Sequence, residues 1–329
     1  QRLCRRALPG LAMKDAVGRE IDYLRLSVTD RCNQRCFYCM PDDGVELVGH
    51  ADLLSFEEIR RVCAILTGRC GVSKIRITGG EPLLRRNLAS LIRMLAELPG
   101  RAPELVLTTN GILLPGLADE LAAAGLSRVN ISLDSLRDEV LASVSRSGTR
   151  VRDIELAVEA AHRAGLEPVR INVVLIPGVN DGEVVDFIIW SADSGVEVRF
   201  IEMMPGGAAD IDAFERVVRP ASVLGPPLEE RGMPGDLQRS FRIEGTEYRF
   251  GLIAPLSDPG FCSRCRRIRL TSTGDMVPCL GSQASVPLRT LLRGGASDLE
   301  IEDAIRDAVL SKPARHSGCD GLRMWRTGG

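Results

Sequence analysis

The chain has 329 residues, of which 44% are hydrophobic and 26% are charged, and its mean hydropathy is +0.03. This composition excludes a disordered or fibrous protein, and the length is sufficient for one large or two ordinary globular domains. The net charge of -2 gives no overall basic field of the kind that attracts nucleic acid. With no apolar run of about 18 residues and no apolar signal core, a cytoplasmic protein without a membrane span is expected.

Predicted strands alternate with predicted helices over much of the chain. After an N-terminal arm at residues 1–20, a strand at 23–28 leads directly into a loop with three cysteines. Ser55 and Glu58 predict a capping box for the helix that follows. Further strands are predicted at 74–78, 104–108, 128–132, 169–176 and 196–201, and the intervening helices stop at Gly125, Gly165 and Gly195.

Six strand–helix units with short connections predict a parallel sheet in an α/β fold. Doubly wound and barrel arrangements both agree with this count. Polar side chains favour the barrel, because barrel enzymes build their active sites at the carboxyl ends of the strands. The polar residues on the strands or at those ends are Arg25, Arg76, Thr108, Ser132, Arg170 and Arg199. We predict a partial (β/α)6 TIM-like barrel at residues 21–206, closed by a smaller C-terminal domain at 207–329.

Three cysteines, Cys32, Cys36 and Cys39, follow the first strand in a C-x3-C-x2-C pattern. A 4Fe–4S cluster is normally held by four cysteinates, so three leave one iron open to another ligand. A disulfide with one free thiol, a zinc site and buried apolar fillers are the alternatives, although zinc needs a fourth ligand. The spacing, with Tyr38 before the last cysteine, resembles the radical S-adenosylmethionine (SAM) superfamily. There the open iron binds SAM, and reduction yields methionine and a 5′-deoxyadenosyl radical.

A second group, Cys262, Cys265 and Cys279, lies in the C-terminal region and again lacks an obvious fourth ligand. Zinc, with His316 or Cys319 as the fourth ligand, is one interpretation. Beside the first group, a second 4Fe–4S cluster is preferred. Its open iron would bind or position the substrate.

Arginines are dense around the second cysteine group, and alternation places Arg267 and Arg269 on one face of a strand. A solvated surface is the ordinary interpretation of such a charge run. A polyanion pocket becomes the better one when the barrel arginines are added, because guanidinium groups match phosphate oxygens. The arginines concerned are Arg264, Arg266, Arg267 and Arg269, with Arg25, Arg76, Arg170 and Arg199 from the barrel. A phosphorylated substrate is predicted.

Segments along nearly the whole chain, apart from residues 207–245, carry a more specific resemblance. They are Leu24-Arg-Leu-Ser-Val-Thr-Asp-Arg-Cys32, Ile75-Arg-Ile-Thr-Gly-Gly-Glu-Pro82, Thr108-Thr-Asn-Gly111, Asn130-Ile-Ser-Leu-Asp134, Arg199-Phe-Ile-Glu-Met-Met204, Phe261-Cys-Ser-Arg-Cys265 and Gly328-Gly329. Together they resemble the GTP 3′,8-cyclase family, also called the molybdenum cofactor biosynthesis protein A family. The resemblance implies radical SAM cyclisation of GTP to (8S)-3′,8-cyclo-7,8-dihydroguanosine 5′-triphosphate, the first step of molybdenum cofactor biosynthesis.

The resemblance also implies roles for individual residues. Cys32, Cys36 and Cys39 would hold the SAM-cleaving cluster, and Cys262, Cys265 and Cys279 a second one whose open iron binds the guanine edge of GTP. SAM would contact Tyr38, Gly79, Gly80, Glu81, Ser132 and Met204. GTP would contact Arg25, Lys74, Arg76, Thr108, Arg170, Arg199, Arg267 and Arg269, with Arg170 standing where a lysine is expected. Gly328 and Gly329 would enter the active site and support radical formation.

Partners are implied in the same way. They are an electron donor of the flavodoxin or ferredoxin type and cyclic pyranopterin monophosphate synthase, which would receive the product. No nucleic acid and no membrane are expected as partners, and the protein would be a monomer or homodimer.

Two alternative functions stay open on the sequence alone. A radical SAM peptide-modifying enzyme would also carry auxiliary clusters, usually with more cysteines in its C-terminal extension. The other is a noncatalytic zinc module that contacts nucleic acid through its arginines.

Overall fold

The computed structural model describes residues 12–41, 43–204, 212–230, 232, 236–316 and 324. In these residues the strands are β1 (Tyr23–Ser27), β2 (Lys74–Thr78), β3 (Glu104–Thr109), β4 (Arg128–Ser132), β5 (Arg170–Leu175), β6 (Glu197–Glu202), β7 (Pro227–Glu230), β8 (Arg239–Ile243), β9 (Arg249–Ile253), β10 (Arg267–Leu270), β11 (Asp275–Val277) and β12 (Val286–Pro287). The six predicted strands all form, and their ends differ from the prediction by one residue at most.

The helices are α1 (Phe56–Arg69), α2 (Leu88–Ala96), α3 (Ala118–Ala123), α4 (Asp138–Ser145), α5 (Val151–Arg163), α6 (Val184–Asp193), α7 (Ala213–Ala221), α8 (Leu288–Arg293) and α9 (Asp298–Leu310). The predicted capping box of α1 is confirmed, with Ser55 Oγ 3.2 Å from Glu58 N and Glu58 Oε2 2.8 Å from Ser55 N. Gly125, Gly165 and Gly195 end α3, α5 and α6 at φ values of +105°, +71° and +67°, which only glycine adopts without strain.

Strands β1 to β6 lie side by side in chain order and are all parallel. Alternation along each strand separates two faces. On β1 and β2, Leu24, Leu26 and Ile75 are fully buried in the apolar core that the flanking helices share, while Arg25 and Arg76 point to the opposite face. Burial of each such aliphatic side chain contributes about 1.5–3 kcal/mol, so the core fixes which face carries the arginines.

The C-terminal part of the chain extends both edges of this sheet. Strand β10 runs parallel to β1, pairing Arg269 with Arg25, and β9 runs parallel to β6, pairing Gly251 with Arg199. The described strands form one open order, β12-β11-β10-β1-β2-β3-β4-β5-β6-β9-β8-β7. The predicted partial barrel is confirmed, and the C-terminal strands flank it without joining its two ends by hydrogen bonds. The predicted domain boundary at 206/207 lies in residues outside the described ranges and stays a prediction.

None of the helices in the described ranges is both long enough and apolar enough to cross a membrane.

Candidate active site

Both cysteine groups line one cavity, here called the cluster cavity. The first group follows the carboxyl end of β1, whereas the second flanks the amino end of β10, which lies beside the amino end of β1. Its lining includes Cys32, Cys36, Cys39, Cys262, Cys265 and Cys279. All eight described cysteines are free thiols, so the disulfide interpretation of the first group is wrong. Among the described residues, no three His, Cys, Asp or Glu side chains could hold a single metal ion. In a cubane, by contrast, each cysteine binds its own iron, so the thiols need not meet at one point.

The first cysteine loop is anchored by its own backbone and by α4. Cys39 N and Met40 N both donate to the carbonyl of Cys36, at 2.9 and 3.0 Å. Arg35 N donates to Ser145 O at 2.9 Å, and Phe37 N to Val144 O at 3.2 Å. Because β1 ends directly before this loop, the three thiols are held above the carboxyl end of the barrel.

The thiols of this group lie in a dry environment that disfavours their charged form. Burial raises the pKa of Cys32 to about 11 and that of Cys39 to about 12. Burial also raises the pKa of Cys36, and the charge of Asp134 and the two other thiols add to this shift. All three thiols belong to one short loop and line the cluster cavity. Buried thiols in this arrangement fit an iron–sulfur cluster, whose positive iron ions would stabilise their thiolates.

The Gly79-Gly80 turn after β2 packs directly against the cysteine loop. Gly80 N donates to Thr29 O at 2.8 Å, and Glu81 N donates to Arg31 O at 2.7 Å. A Cβ atom added at Gly80 would lie 2.3 Å from Arg31 O, and one at Gly79 would lie 2.8 Å from Thr29 O. The two glycines are therefore required for close approach of two backbone segments, in addition to lining the cluster cavity.

The Glu81 carboxylate, which lines the same cavity, is bound within the protein. Oε1 accepts from Leu83 N at 3.0 Å and from Thr109 Oγ1 at 2.7 Å, and Oε2 accepts from Asn110 N at 2.7 Å. Burial raises its pKa to about 7 in spite of these three hydrogen bonds. The carboxylate thus joins the ends of β2 and β3, and its predicted contact with SAM stays a prediction.

Tyr38 is fixed by a buried carboxylate from the neighbouring strand end. Tyr38 Oη donates to Asp134 Oδ2 at 2.7 Å, and Asp134 Oδ1 accepts from Val174 N at 2.8 Å. Burial raises the pKa of Asp134 to about 6. Ser132 and Met204 line the same cavity, so every described residue predicted to contact SAM lies around one space.

The second cysteine group has opposite electrostatic surroundings. Burial acts to raise the pKa of Cys265, but the positive charges of Lys312 and Arg267 lower it below its ordinary value. His316, the proposed zinc ligand, lies at this cavity and its Nε2 is 3.1 Å from Pro255 O. Since a carbonyl only accepts, Nε2 carries the proton of this hydrogen bond. The other proposed zinc ligand, Cys319, and the predicted catalytic Gly328 and Gly329 lie outside the described residues.

The predicted GTP contacts divide between two adjoining cavities. The cluster cavity is lined by Arg25, Arg76, Thr108, Arg199, Arg267 and Arg269. A second one, here called the arginine cavity, opens at the amino ends of the strands and is lined by Tyr23, Lys74, Arg76, Arg101, Arg170, Arg199, Arg266 and Arg267. Arg76, Arg199 and Arg267 border both. The cations therefore continue from the interior of the barrel to the amino ends of its strands, on the side of the second cysteine group.

Acidic partners hold several of these cations, and sequence reasoning missed them. Glu104 binds Lys74 Nζ at 3.0 Å and Arg128 Nε at 2.6 Å, and Glu197 binds Arg170 Nε at 2.5 Å. Each of these glutamates lies on a strand directly beside its partner. Only the register between neighbouring strands places each glutamate beside its cation, and the sequence alone does not give that register.

Tyr23 is a further residue that sequence reasoning missed. Its hydroxyl accepts a hydrogen bond from Arg76 Nε, and the cationic groups of Lys74, Arg76 and Arg267 lie 5.3, 5.8 and 5.4 Å from its ring centroid. Burial acts to raise the pKa of Tyr23, but the charges of Arg76 and Arg267 lower it to about 7. The signal in the sequence is its position two residues before Arg25, on the same face of β1.

Unsatisfied donors remain in this cationic region. Within the described part of the chain, Arg128 Nη1 and Arg199 Nε are buried and have no hydrogen-bond partner. Burial, followed by the charge of Arg76, lowers the pKa of Arg199. Crowded buried cations with unpartnered donors are unfavourable unless an anion compensates them. The geometry fits a bound polyanion.

Comparison with known proteins agrees with this arrangement. Residues 26–190 match the Radical SAM superfamily, and residues 196–318 match the family Molybdenum Cofactor Synthesis C. Among solved structures, Streptococcus suis SuiB bound to S-adenosylmethionine superposes with a TM-score of 0.61 at 15% identity, covering 91% of this chain and 73% of that one. That likeness concerns the fold alone. The chain is a radical SAM enzyme.

Curated relatives define the family within this class. The chain is 43% identical to GTP 3′,8-cyclase of Heliobacterium modesticaldum, over 94% of this chain and 95% of the relative. It is 42% identical to GTP 3′,8-cyclase of Moorella thermoacetica, over 95% of this chain and 98% of the relative. The chain belongs to the GTP 3′,8-cyclase family, which excludes the noncatalytic zinc module.

Proposed function

We propose that this protein cyclises GTP to (8S)-3′,8-cyclo-7,8-dihydroguanosine 5′-triphosphate, the first step of molybdenum cofactor biosynthesis. The observation that carries the proposal is the cluster cavity, in which the two cysteine groups adjoin a set of buried cations, Arg25, Arg76, Arg199 and Arg269. A radical SAM centre alone would explain only the first cysteine group. The cations add a site for a polyphosphate, and family membership supplies GTP as its identity.

Cys32, Cys36 and Cys39 would hold the SAM-cleaving cluster, and Tyr38, Gly79, Gly80, Glu81, Ser132 and Met204 would surround SAM. A cluster of this kind supplies the electron that splits SAM into methionine and a 5′-deoxyadenosyl radical. The protein contributes orientation and exclusion of water. The hydrogen bond from Tyr38 to Asp134 and the close packing of the glycine turn keep the SAM side of the cavity in one shape.

We assign the second cluster to Cys262, Cys265 and Cys279. Its support is the cationic environment, in which Lys312 and Arg267 favour a thiolate at Cys265. An open iron there would bind the guanine edge of GTP.

GTP would occupy the cluster cavity, with its guanine at the second cysteine group. The contacts in this cavity would be Arg25, Arg76, Thr108, Arg199, Arg267 and Arg269. Lys74 and Arg170 line the adjoining arginine cavity at the amino ends of the strands and would contact a phosphate group that reaches it. Arg170 retains the positive charge of the expected lysine, but its planar guanidinium contacts phosphate oxygens in pairs. Because Glu197 already binds Arg170 Nε, an incoming phosphate would compete with that carboxylate.

Several roles rest on the family resemblance and complete the proposal. They are support of radical formation by Gly328 and Gly329, an electron donor of the flavodoxin or ferredoxin type, and delivery of product to cyclic pyranopterin monophosphate synthase in the cytoplasm.

The test is anaerobic incubation of the iron-reconstituted, reduced protein with SAM and GTP, followed by mass spectrometry of 5′-deoxyadenosine and the nucleotide. We expect deoxyadenosine together with an isomer of GTP that contains a new carbon–carbon bond. Cys36→Ala should abolish both products. Cys63→Ala, at a buried core cysteine outside both groups, is the matched control and should retain them.

Two outcomes would contradict the proposal. Deoxyadenosine with unchanged GTP would retain radical SAM chemistry and favour a peptide substrate. No deoxyadenosine in a protein with its full iron content would overturn the catalytic assignment itself.

A further inference from the structure

Lys312, a buried cation outside the predicted GTP contacts, binds the backbone beside two cysteines of the second group. Its side chain lies just after α9, and the residue is only 4% exposed. Lys312 Nζ donates to Arg267 O at 2.8 Å and to Pro278 O at 2.7 Å. Arg267 lies two residues after Cys265, and Pro278 directly precedes Cys279. One ammonium group therefore ties together the two segments that carry these cysteines.

Arg19 completes the same arrangement at the third cysteine. Arg19 Nη1 donates to Cys262 O at 2.6 Å, and its Nη2 donates to Pro313 O at 2.6 Å. The second of these carbonyls belongs to the residue that follows Lys312. Arg19 and Lys312 together thus connect all three cysteine segments through backbone carbonyls.

The charges of the two cations are compensated differently. Arg19 Nε lies 2.5 Å from Asp15 Oδ2, so a buried carboxylate neutralises the guanidinium. Lys312 forms no ion pair with any carboxylate in the described part of the chain. Its ammonium group binds two neutral carbonyls, those of Arg267 and Pro278. A buried charge without a counter-ion is costly. Lys312 also borders the cavity that Cys262, Cys265 and Cys279 line, so the anion it lacks belongs on the side of the cysteines.

We propose that Lys312, assisted by Arg19, is a positioning residue for the second iron–sulfur cluster: it fixes the spacing of the cysteine segments and supplies the positive charge that balances a thiolate-ligated cluster. The proposal rests on the proposed presence of that cluster. A fixed cation near a redox centre favours the state with one more electron, because that state is more negative. Loss of the cation should therefore make the second cluster harder to reduce.

The test compares Lys312→Met with Lys312→Arg, which retains charge and donors, and with Lys14→Met, which removes the same charge from an exposed position. Two quantities are measured. One is the midpoint potential of each cluster, followed by electron paramagnetic resonance during a redox titration. The other is hydrogen exchange of the segments around Cys265 and Cys279 in the iron-free protein.

For Lys312→Met we expect a lower midpoint potential for the second cluster alone, or loss of about half of the bound iron if the cluster no longer assembles. We also expect faster exchange in both cysteine segments. Lys312→Arg and Lys14→Met should stay close to wild type. A merely structural role would speed exchange without shifting the potential of a cluster that still assembles, and would overturn the charge assignment.

Failure of the role of Lys312 and failure of the second-cluster proposal would give different results. Wild-type potential and exchange in Lys312→Met, with two clusters present, would overturn the role of Lys312 while leaving the second cluster intact. A wild-type protein that reconstitutes a single cluster would instead remove the basis of the second-cluster proposal.

Discussion

Asp134 shows how one buried carboxylate links the cysteine loop to the barrel. It accepts a hydrogen bond from Tyr38 and another from Val174 N on β5, yet burial still raises its pKa from 3.8 to about 6. The folded protein thus binds a proton at this site more tightly than the unfolded chain does. Its contribution to stability is fully present below pH 3.8 and is lost as pH rises through about 6.

This predicts a pH-dependent difference between wild type and Asp134→Asn in the iron-free protein. Asparagine keeps an acceptor for Val174 N, and the Tyr38 hydroxyl can accept from its amide. From pH 4 to above 6, the free energy of unfolding of wild type should fall relative to the variant by up to about 3 kcal/mol. Urea titrations at several pH values measure it. Parallel pH profiles for the two proteins would contradict the assignment.

Arg267 and Arg269 yield a second prediction at the scale of single residues. Both border the cluster cavity, and they lie on a strand whose neighbour carries Arg25. Arg267→Ala or Arg269→Ala should weaken GTP binding about tenfold to a hundredfold, since a hydrogen bond to a charged group contributes about 1.5–3 kcal/mol. SAM cleavage without GTP should survive, because both residues follow Cys265 of the second cysteine group and neither is a predicted SAM contact.

Equilibrium binding of GTP and deoxyadenosine formation without GTP check this prediction. Arg293→Ala is the matched control, because Arg293 pairs with Glu58 on the surface, away from both cavities. Unchanged GTP affinity in both active-site variants would refute their assignment.

At the scale of elements, the turn after β2 and the loop after β1 depend on each other. Gly80→Ala would place a Cβ atom 2.3 Å from Arg31 O, so one of the two backbones must move. We expect the variant to lose about 1–3 kcal/mol of stability through this overpacking. The displaced segment directly precedes Cys32, so the first cluster should assemble poorly. Iron content after reconstitution and urea unfolding of the iron-free protein measure these effects.

The control for Gly80→Ala is Gly68→Ala, a glycine inside α1 where an added Cβ meets nothing within 4 Å. There alanine should increase stability by about 0.5–1 kcal/mol through its helix propensity. Normal iron content in Gly80→Ala would show that the close approach of turn and loop is dispensable.

At the scale of the whole molecule, the C-terminal strands protect both edges of the barrel sheet. Removing them would expose the hydrogen-bonding edges of β1 and β6 and uncover core residues that now contact Ile268 and Leu252, both fully buried. Exposed edges of this kind pair with other chains. A chain that ends at residue 204 should therefore aggregate on expression. Sedimentation and urea unfolding test this; a soluble fragment with cooperative unfolding would instead support independent domains.

Much of the fold follows from local patterns, and these could be read from the sequence. Hydrophobic alternation, the Ser55 capping box and glycines at helix ends act over a few residues, so the six barrel strands were placed within one residue. The cysteine spacing was equally local, and it predicted the chemistry of the first loop. Residues brought together only by register, such as Glu104 beside Lys74 and Arg128, could not be predicted in this way.

The sequence by itself determined the elements, the two cysteine groups and the positive charges available for a phosphorylated substrate. The tertiary structure decided that both groups line one cavity, that Lys74 and Arg170 line an adjoining one, and that Lys312 binds the backbone beside Cys265 and Cys279. The physical reason is the separation along the chain over which each interaction acts. Propensity, capping and ligand spacing depend on neighbours along the chain, whereas these contacts depend on β10 and β9 pairing with the two edges of the barrel sheet.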